Sequence, residues 1–505
     1  MTEASIVVTL DIGGSAARAV AYDAVGQRSL ASVAVPYPAS SDVSDPGMFE
    51  PEGWWHAAVG ALARLRHSLD EPSSRFLGIT VSAVRIPFVL IDGDGTPVMP
   101  GLLNRDRRAA GQLARIAAVA DAAEVYRVTG HWLAPEFGLP KLLWARDACP
   151  AGWRAARFVL QLHDWFIFRL AGVVAAEPSS AAMSQMLDVS HRCWADALLA
   201  ALGIPVAVLP ELRPAGTRAG GLLPVVADAT GFAAGTPVHL GGGDTHLSAE
   251  SAGASEADAP VVVAGTTAPV QVVVRQADLS SAPDSRFPLL VSEHVTANRW
   301  VLETNAGLTG GILARLADLD DRSGEPLADE LRRRGFALAA GPGELAVLAG
   351  NPFFGPQGWA TTPPPTVIGL QERHRGSDLF DACLRAICCA IGSVLGTLRT
   401  GAAITAPLIV ATGGMSRSAT WAQMLADVTG AQVRIWPLEA INGRVGAALV
   451  TGGTPGTLGG PRAADAGEQQ TYSPQAAAPP GHAASVARYR ELYRTAQLEL
   501  SAAGR

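Results

Sequence analysis

Lysine is all but missing from this sequence. Of 39 basic side chains in 505 residues only Lys141 is a lysine, so 38 are arginine. A P-loop needs a Gly-Lys pair to reach nucleotide phosphates, and Lys141 follows Pro140 in LPKLLWAR. The strand lysine of a protein kinase has no candidate either. Basic charge is also outweighed, 39 residues against 46 acidic ones for a net −7, so no basic field marks nucleic acid as the partner. Cysteine is sparse and shows no CxxC spacing; Cys149, Cys193, Cys383, Cys388 and Cys389 read as reduced, buried packing residues. A signal peptide's basic n-region is lacking in MTEASIVVTLDIGG. Apolar runs such as PVVVAGTTAPVQVVV break at Gly, Thr and Pro, short of the ~20 residues that span a bilayer. A soluble, cytoplasmic chain without a membrane partner is expected. No HExxH or GxSxG occurs, which excludes the zinc peptidase and α/β-hydrolase constellations.

What is present is a folded composition, 48% hydrophobic and 17% charged, in a chain long enough for two or three domains. SIVVTLDI, ARAVAYDAVGQ and LASVAVPY read as a strand meander, and residues 54–69 change to the period of an amphipathic helix. FLGITVSAV and PFVLIDGDG return to strand. Strand, Gly/Thr turn and strand recur over residues 259–274, followed by helical stretches from GLTGGILARLADL to ATWAQMLADVTG. This order predicts a duplicated α/β fold with domains 1–247 and 248–505. Residues 452–482, rich in Gly, Pro and Ala, read as a surface loop; the last stretch reads as a helix docked through Tyr489 and Tyr493.

Four short stretches could carry chemistry. TLDIGGSAARAV puts Asp11 at a strand end before Gly13, Gly14 and Ser15, where turn amides can cradle phosphate and a carboxylate can hold Mg²⁺. An ordinary hairpin is the plain alternative. VAGTTAPV offers a second such turn at Gly265, Thr266 and Thr267, and IVATGGMSRS a third at Gly413 and Gly414 between strand and helix; strand-loop-helix crevices commonly receive nucleotides. GGGDTHLSAE sets three glycines before Asp244. On its own it reads as a glycine turn and a helix cap, and His246 as a core or helix-face histidine.

The ordered set DxGG, NxDxR at residue 104, GGGD, GTT and a late GG loop before WAQMLADVTG resembles the FGGY family of carbohydrate kinases over nearly the whole chain. Within that family it is similar to the autoinducer kinase and pentulose kinase branches. The resemblance implies two ribonuclease-H-like domains of the actin-type ATPase fold, with the active site in the cleft between them. It implies ATP and Mg²⁺, a small sugar or polyol acceptor, and leaves a homodimer open. Asp244 matches the general base and Asp11 the Mg²⁺ carboxylate. Gly13, Gly14, Ser15 and Arg18 match the first phosphate loop, and Gly265, Thr266 and Thr267 the second. Thr309 and Gly310 approach the nucleotide, and Gly413 and Gly414 match the adenosine loop. Arg85, Asn104, Asp106 and Arg108 match acceptor contacts. The sequence departs from the pattern at Ile86, where a sugar-binding glutamate is common, at Gly14 and Ala16, where hydroxyls are common, and at Ile441, with Glu439 two residues early. A sugar or nucleotide sensor without phosphotransfer is the alternative function.

Overall fold

The computed structural model describes residues 4–38, 45, 47–251, 259–279, 289–319, 345–355, 365–436, 438–452, 470–475 and 482–503. β-Branched and apolar residues at 6–12 form a buried strand, Ile6–Ile12, and Gly13 to Ser15 turn it back into Ala16–Asp23, which pairs in turn with Arg28–Pro36. Two later strands add to the other side in parallel, Phe76–Ala83 beside the first and Pro237–Gly243 beside Phe76–Ala83. Arg218–Gly221 closes the six-stranded edge.

The second half repeats the plan. Val261–Val263, Thr267–Val274 and Trp300–Leu308 form an antiparallel meander. Leu408–Thr412 then joins the first of these in parallel, and Gln432–Ile435 follows beside it. Each half thus lays three antiparallel strands and then two parallel ones in the same spatial order, the topological form of the repeat in element order.

Helices cover these sheets because their apolar faces have nowhere else to go. Pro51–Ser68 starts with Pro at its first turn, carries Glu52 there and Arg66 with His67 in its last turn, the charge placement a helix dipole favours. Its Trp54, Ala58, Ala61, Leu62 and Leu65 are buried against the first meander, each large side chain contributing about 1.5–3 kcal/mol. Gly376–Gly401 is long and apolar enough to cross a membrane, yet 67% of its most apolar window is buried inside the protein. It is the central helix of the second half, packed on the second sheet and on Ala419–Thr429 and His482–Ala503. The last of these docks as expected: Tyr489 and Tyr493 are buried, and the Tyr489 hydroxyl donates to the Ala349 carbonyl at 2.6 Å.

Helix Leu438–Thr451 crosses back to lie on the first sheet. It can do so because Gly446 and Gly443 face that sheet: a Cβ at Gly446 would come within 2.2 Å of Thr9 Oγ1, and one at Gly443 within 2.9 Å of Tyr22. Two expectations need correction or limits. Cys193 is exposed and Cys149 only partly buried, so burial holds for Cys383, Cys388 and Cys389 alone. Most of the 452–482 loop lies outside the described residues, and its Thr471–Tyr472 segment is an edge strand of the second sheet.

Candidate active site

The chemistry-bearing residues gather where strands end, the place at which α/β folds leave backbone groups and crevices free. Asp11 stands near the end of Ile6–Ile12, opposite Arg18 on the neighbouring strand and beside Ser82, whose hydroxyl donates to Asp11 Oδ1 at 2.9 Å. Arg85 follows the end of Phe76–Ala83, and Asp244 follows the end of Pro237–Gly243 as the first residue of helix Asp244–Ser251. Gly14 and Ser15 are exposed, and a Cβ at Gly14 would touch nothing. The Tyr37 hydroxyl donates to the Gly13 carbonyl at 3.0 Å while its ring stacks on Trp54.

The three glycines before Asp244 are not a turn. Residues 241–243 are extended strand, without positive φ. Glycine is needed there because neighbours crowd the backbone: a Cβ would come within 1.9 Å of the Val81 carbonyl at Gly241, 2.6 Å of Val295 at Gly242 and 2.7 Å of Arg85 at Gly243. Asp244 follows directly on Gly243, whose backbone packs on the Arg85 side chain. Burial pushes the Asp244 carboxyl up to about 7; Arg85 opposes that rise, and the charges of Asp11 and Glu303 add to it. The Thr245 amide donates to Asp244 Oδ1 at 2.7 Å.

Arg85 is buried and forms a bidentate pair with Glu303 of the second half, Nη1 to Oε2 at 2.8 Å and Nη2 to Oε1 at 3.0 Å. Burial works against its charge, but Glu303 holds its pKa above the ordinary value. Nη1 also lies 3.1 Å from His246 Nε2. Burial and Arg85 hold the His246 pKa well below the ordinary value, so this nitrogen accepts. Ile86 adopts φ +88°, a strained setting for a β-branched residue of the kind that clusters at functional sites.

Asn104, Asp106 and Arg108 lie on one loop with different roles. Asn104 is exposed. Asp106 is buried and takes Arg108 Nε and Nη2 at 2.8 and 2.7 Å, so the two hold the loop's shape. Arg108 also reaches Asp45 at 2.8 Å.

In the second half, three expected loops form one backbone cluster. The amides of Thr309 and Gly310 donate to Thr266 and Gly265 carbonyls at 2.9 and 3.1 Å, and Met415 donates to Ala264 at 3.0 Å. Gly310 would place a Cβ 2.5 Å from the Gly265 carbonyl, and Gly413, at φ +96°, one 2.4 Å from that of Ala264. Thr266, Thr267 and Gly414 are exposed. The side chains of Glu439 and Ile441 lie outside the described residues. Sequence reasoning missed Glu303, Tyr37 and Ser82. The detectable signal for Glu303 is the polar run Glu303-Thr304-Asn305 inside a strand that opens apolar; Ser82, two residues after Thr80, carries none of its own.

No group of three or more His, Cys, Asp or Glu side chains suited to a metal ion occurs among the described residues. Mg²⁺ keeps several waters and takes only one or two carboxylates with substrate phosphates. Asp11, near a strand end beside the exposed turn of Gly14 and Ser15, fits that limited demand.

The profile of the "FGGY family of carbohydrate kinases, N-terminal domain" matches residues 6–250, and that of the C-terminal domain residues 261–452. An autoinducer-2 kinase of Klebsiella pneumoniae is 27% identical over 465 residues, covering 89% of this chain and 85% of its own. A xylulose kinase from Rhodospirillum rubrum superposes with TM-score 0.79 at 23% identity, covering 97% of this chain and 98% of its own. A Plasmodium falciparum glycerol kinase with ADP superposes with TM-score 0.76 at 13% identity, covering 99% and 98%.

Proposed function

The chain belongs to the FGGY family of carbohydrate kinases, ATP-dependent phosphotransferases with an alcohol acceptor, and from that premise we propose a reaction in which Asp244 is the general base. The Asp244 carboxylate takes the proton of an acceptor hydroxyl. That oxygen bonds to the γ-phosphorus, the bond from phosphorus to the β–γ bridging oxygen breaks, and ADP leaves with the electron pair. Phosphoryl transfer depends mainly on positioning and charge neutralisation, and a base poised near the working pH is the efficient one. The observation that carries the reading is the placement of Asp244 and Asp11, each at or near the end of a strand of the first sheet, with burial raising the Asp244 carboxyl to about 7.

In this reading residues 1–247 supply the acceptor side and the base. Asn104, Asp106, Arg108 and Arg85 contact or shape the acceptor pocket, Arg85 from beneath through its pair with Glu303. Gly13, Gly14, Ser15 and Arg18 line the first phosphate loop. Residues 248–505 supply the nucleotide side through Gly265, Thr266, Thr267, Thr309, Gly310, Gly413 and Gly414. Asp11 would hold Mg²⁺, which supplies charge neutralisation on the phosphates when bound. The acceptor is a small ketose, polyol or autoinducer-like furanone, the last suggested by the 27% identical autoinducer-2 kinase. ADP release from MgATP across pentuloses, hexuloses, polyols and the furanone tests this. Release stimulated by one compound and lost in Asp244→Asn is expected; release in that variant at the wild-type rate sinks the assignment.

A further inference from the structure

Lys141 is the only lysine among 39 basic residues, and it sits where a charge is costly. Its helix, Gly138–Ala148, buries Leu139, Pro140, Leu142, Leu143 and Ala145 along with it, and Lys141 is 0% exposed. The ammonium is satisfied by two backbone oxygens: Nζ donates to the Leu103 carbonyl at 2.7 Å and to the Asn104 carbonyl at 3.0 Å. Those residues open the loop of Asn104, Asp106 and Arg108. The Leu103 carbonyl also takes the Asp106 amide at 3.1 Å, so one nitrogen and one turn share an acceptor.

Charge around the amine is arranged to keep it there. Burial pulls its pKa down to about 7, Asp106 and Glu136 pull it up, and Arg108 pulls it down. Glu136 is itself tied to Arg107 at 2.9 Å, so the segment from Leu103 to Arg107 is held at both ends by the Glu136-to-Lys141 region. Two carbonyls converging on one nitrogen suit a compact point donor; a planar guanidinium with five donors spread over a fork does not fit that geometry. This accounts for a lysine in a chain that otherwise uses arginine.

Resting on the kinase reading above, we propose that Lys141 is a positioning residue for the acceptor: it clamps the backbone at Leu103 and Asn104 so that the exposed Asn104 side chain is presented to the sugar in one orientation. It touches neither nucleotide nor reacting atoms, so its loss acts on the acceptor alone.

The test uses the full-length chain with Lys141→Met, Lys141→Gln and Lys141→Arg, the Gln variant keeping an amide donor should Met not fold. Brief trypsin treatment with mass spectrometry reads cleavage after the exposed Arg105 and Arg107, and steady-state kinetics on the acceptor panel reads the two KM values. Expected in Lys141→Met are nicking at those bonds and an acceptor KM each raised about tenfold or more, with the ATP KM within about twofold, as lost pre-positioning of one substrate gives. Lys141→Arg should restore neither. Unchanged nicking, faster nicking with an unchanged acceptor KM, or full rescue by arginine would each overturn the proposal. A wild type that turns over nothing in the panel overturns instead the kinase reading on which it rests.

Discussion

Arg85 and Glu303, 218 residues apart in the chain, join the two halves by a buried bidentate ion pair whose two charges act on Asp244. Removing one member leaves the other charged and without its buried partner, which typically costs about 3–5 kcal/mol. Arg85→Met and Glu303→Met are each expected to lose stability on that scale in chemical denaturation. The double variant should lose clearly less than the sum, since neither charge is then stranded.

Asp244 is expected to be held at the expense of stability. Its folded pKa, about 7 against a reference of 3.8, is raised, so the penalty is absent below the unfolded value, grows as pH rises between the two, and is complete above about 7. At 1.36 kcal/mol per unit the ceiling is about 4 kcal/mol. Asp244→Asn should therefore unfold at higher temperature than wild type at pH 8, with the difference fading toward pH 4. The same variant should lose at least about a hundredfold in turnover, as removal of a positioned base does.

The same shift sets the pH dependence of catalysis. A base must be deprotonated to act, so kcat/KM for the acceptor is expected to rise with pH and level off above an apparent pKa near 7, the value for Asp244. Arg85 attracts the carboxylate and lowers that pKa. Arg85→Met should move the rising limb to higher pH, measured with MgATP saturating.

Local patterns made part of this site legible and long-range ones hid the rest. Asp11 with Gly13 and Gly14, and the Gly265 and Gly413 loops, are written in a few adjacent residues, because a turn between apolar strands needs no distant partner. Glu303 could not be paired with Arg85 from sequence, since their contact depends on how two sheets meet. The glycines at 241–243 were visible but their reason was not: sequence shows tolerance of glycine, and only the packed neighbours show that space, not a turn, demands it. Lys141 was conspicuous as a composition anomaly, yet its role needed the carbonyls of Leu103 and Asn104.

That distinction between glycines separates folding from function in two single substitutions. At Gly241 a Cβ would come within 1.9 Å of the Val81 carbonyl, inside the register shift between His239 and Gly242 in the parallel pair with Phe76–Ala83. Backbone cannot yield there without breaking the sheet, so Gly241→Ala is expected to lose at least about 3 kcal/mol, at the upper end of overpacking costs. At Gly14 a Cβ meets nothing, and the residue is exposed at the tip of the turn proposed as the first phosphate loop. Gly14→Asp should unfold within about 0.5 kcal/mol of wild type, as surface changes do, while the added carboxylate stands where loop amides would approach phosphate, repels it and raises the ATP KM several-fold. Equal KM values for ATP in Gly14→Asp and wild type would remove this turn from the nucleotide site.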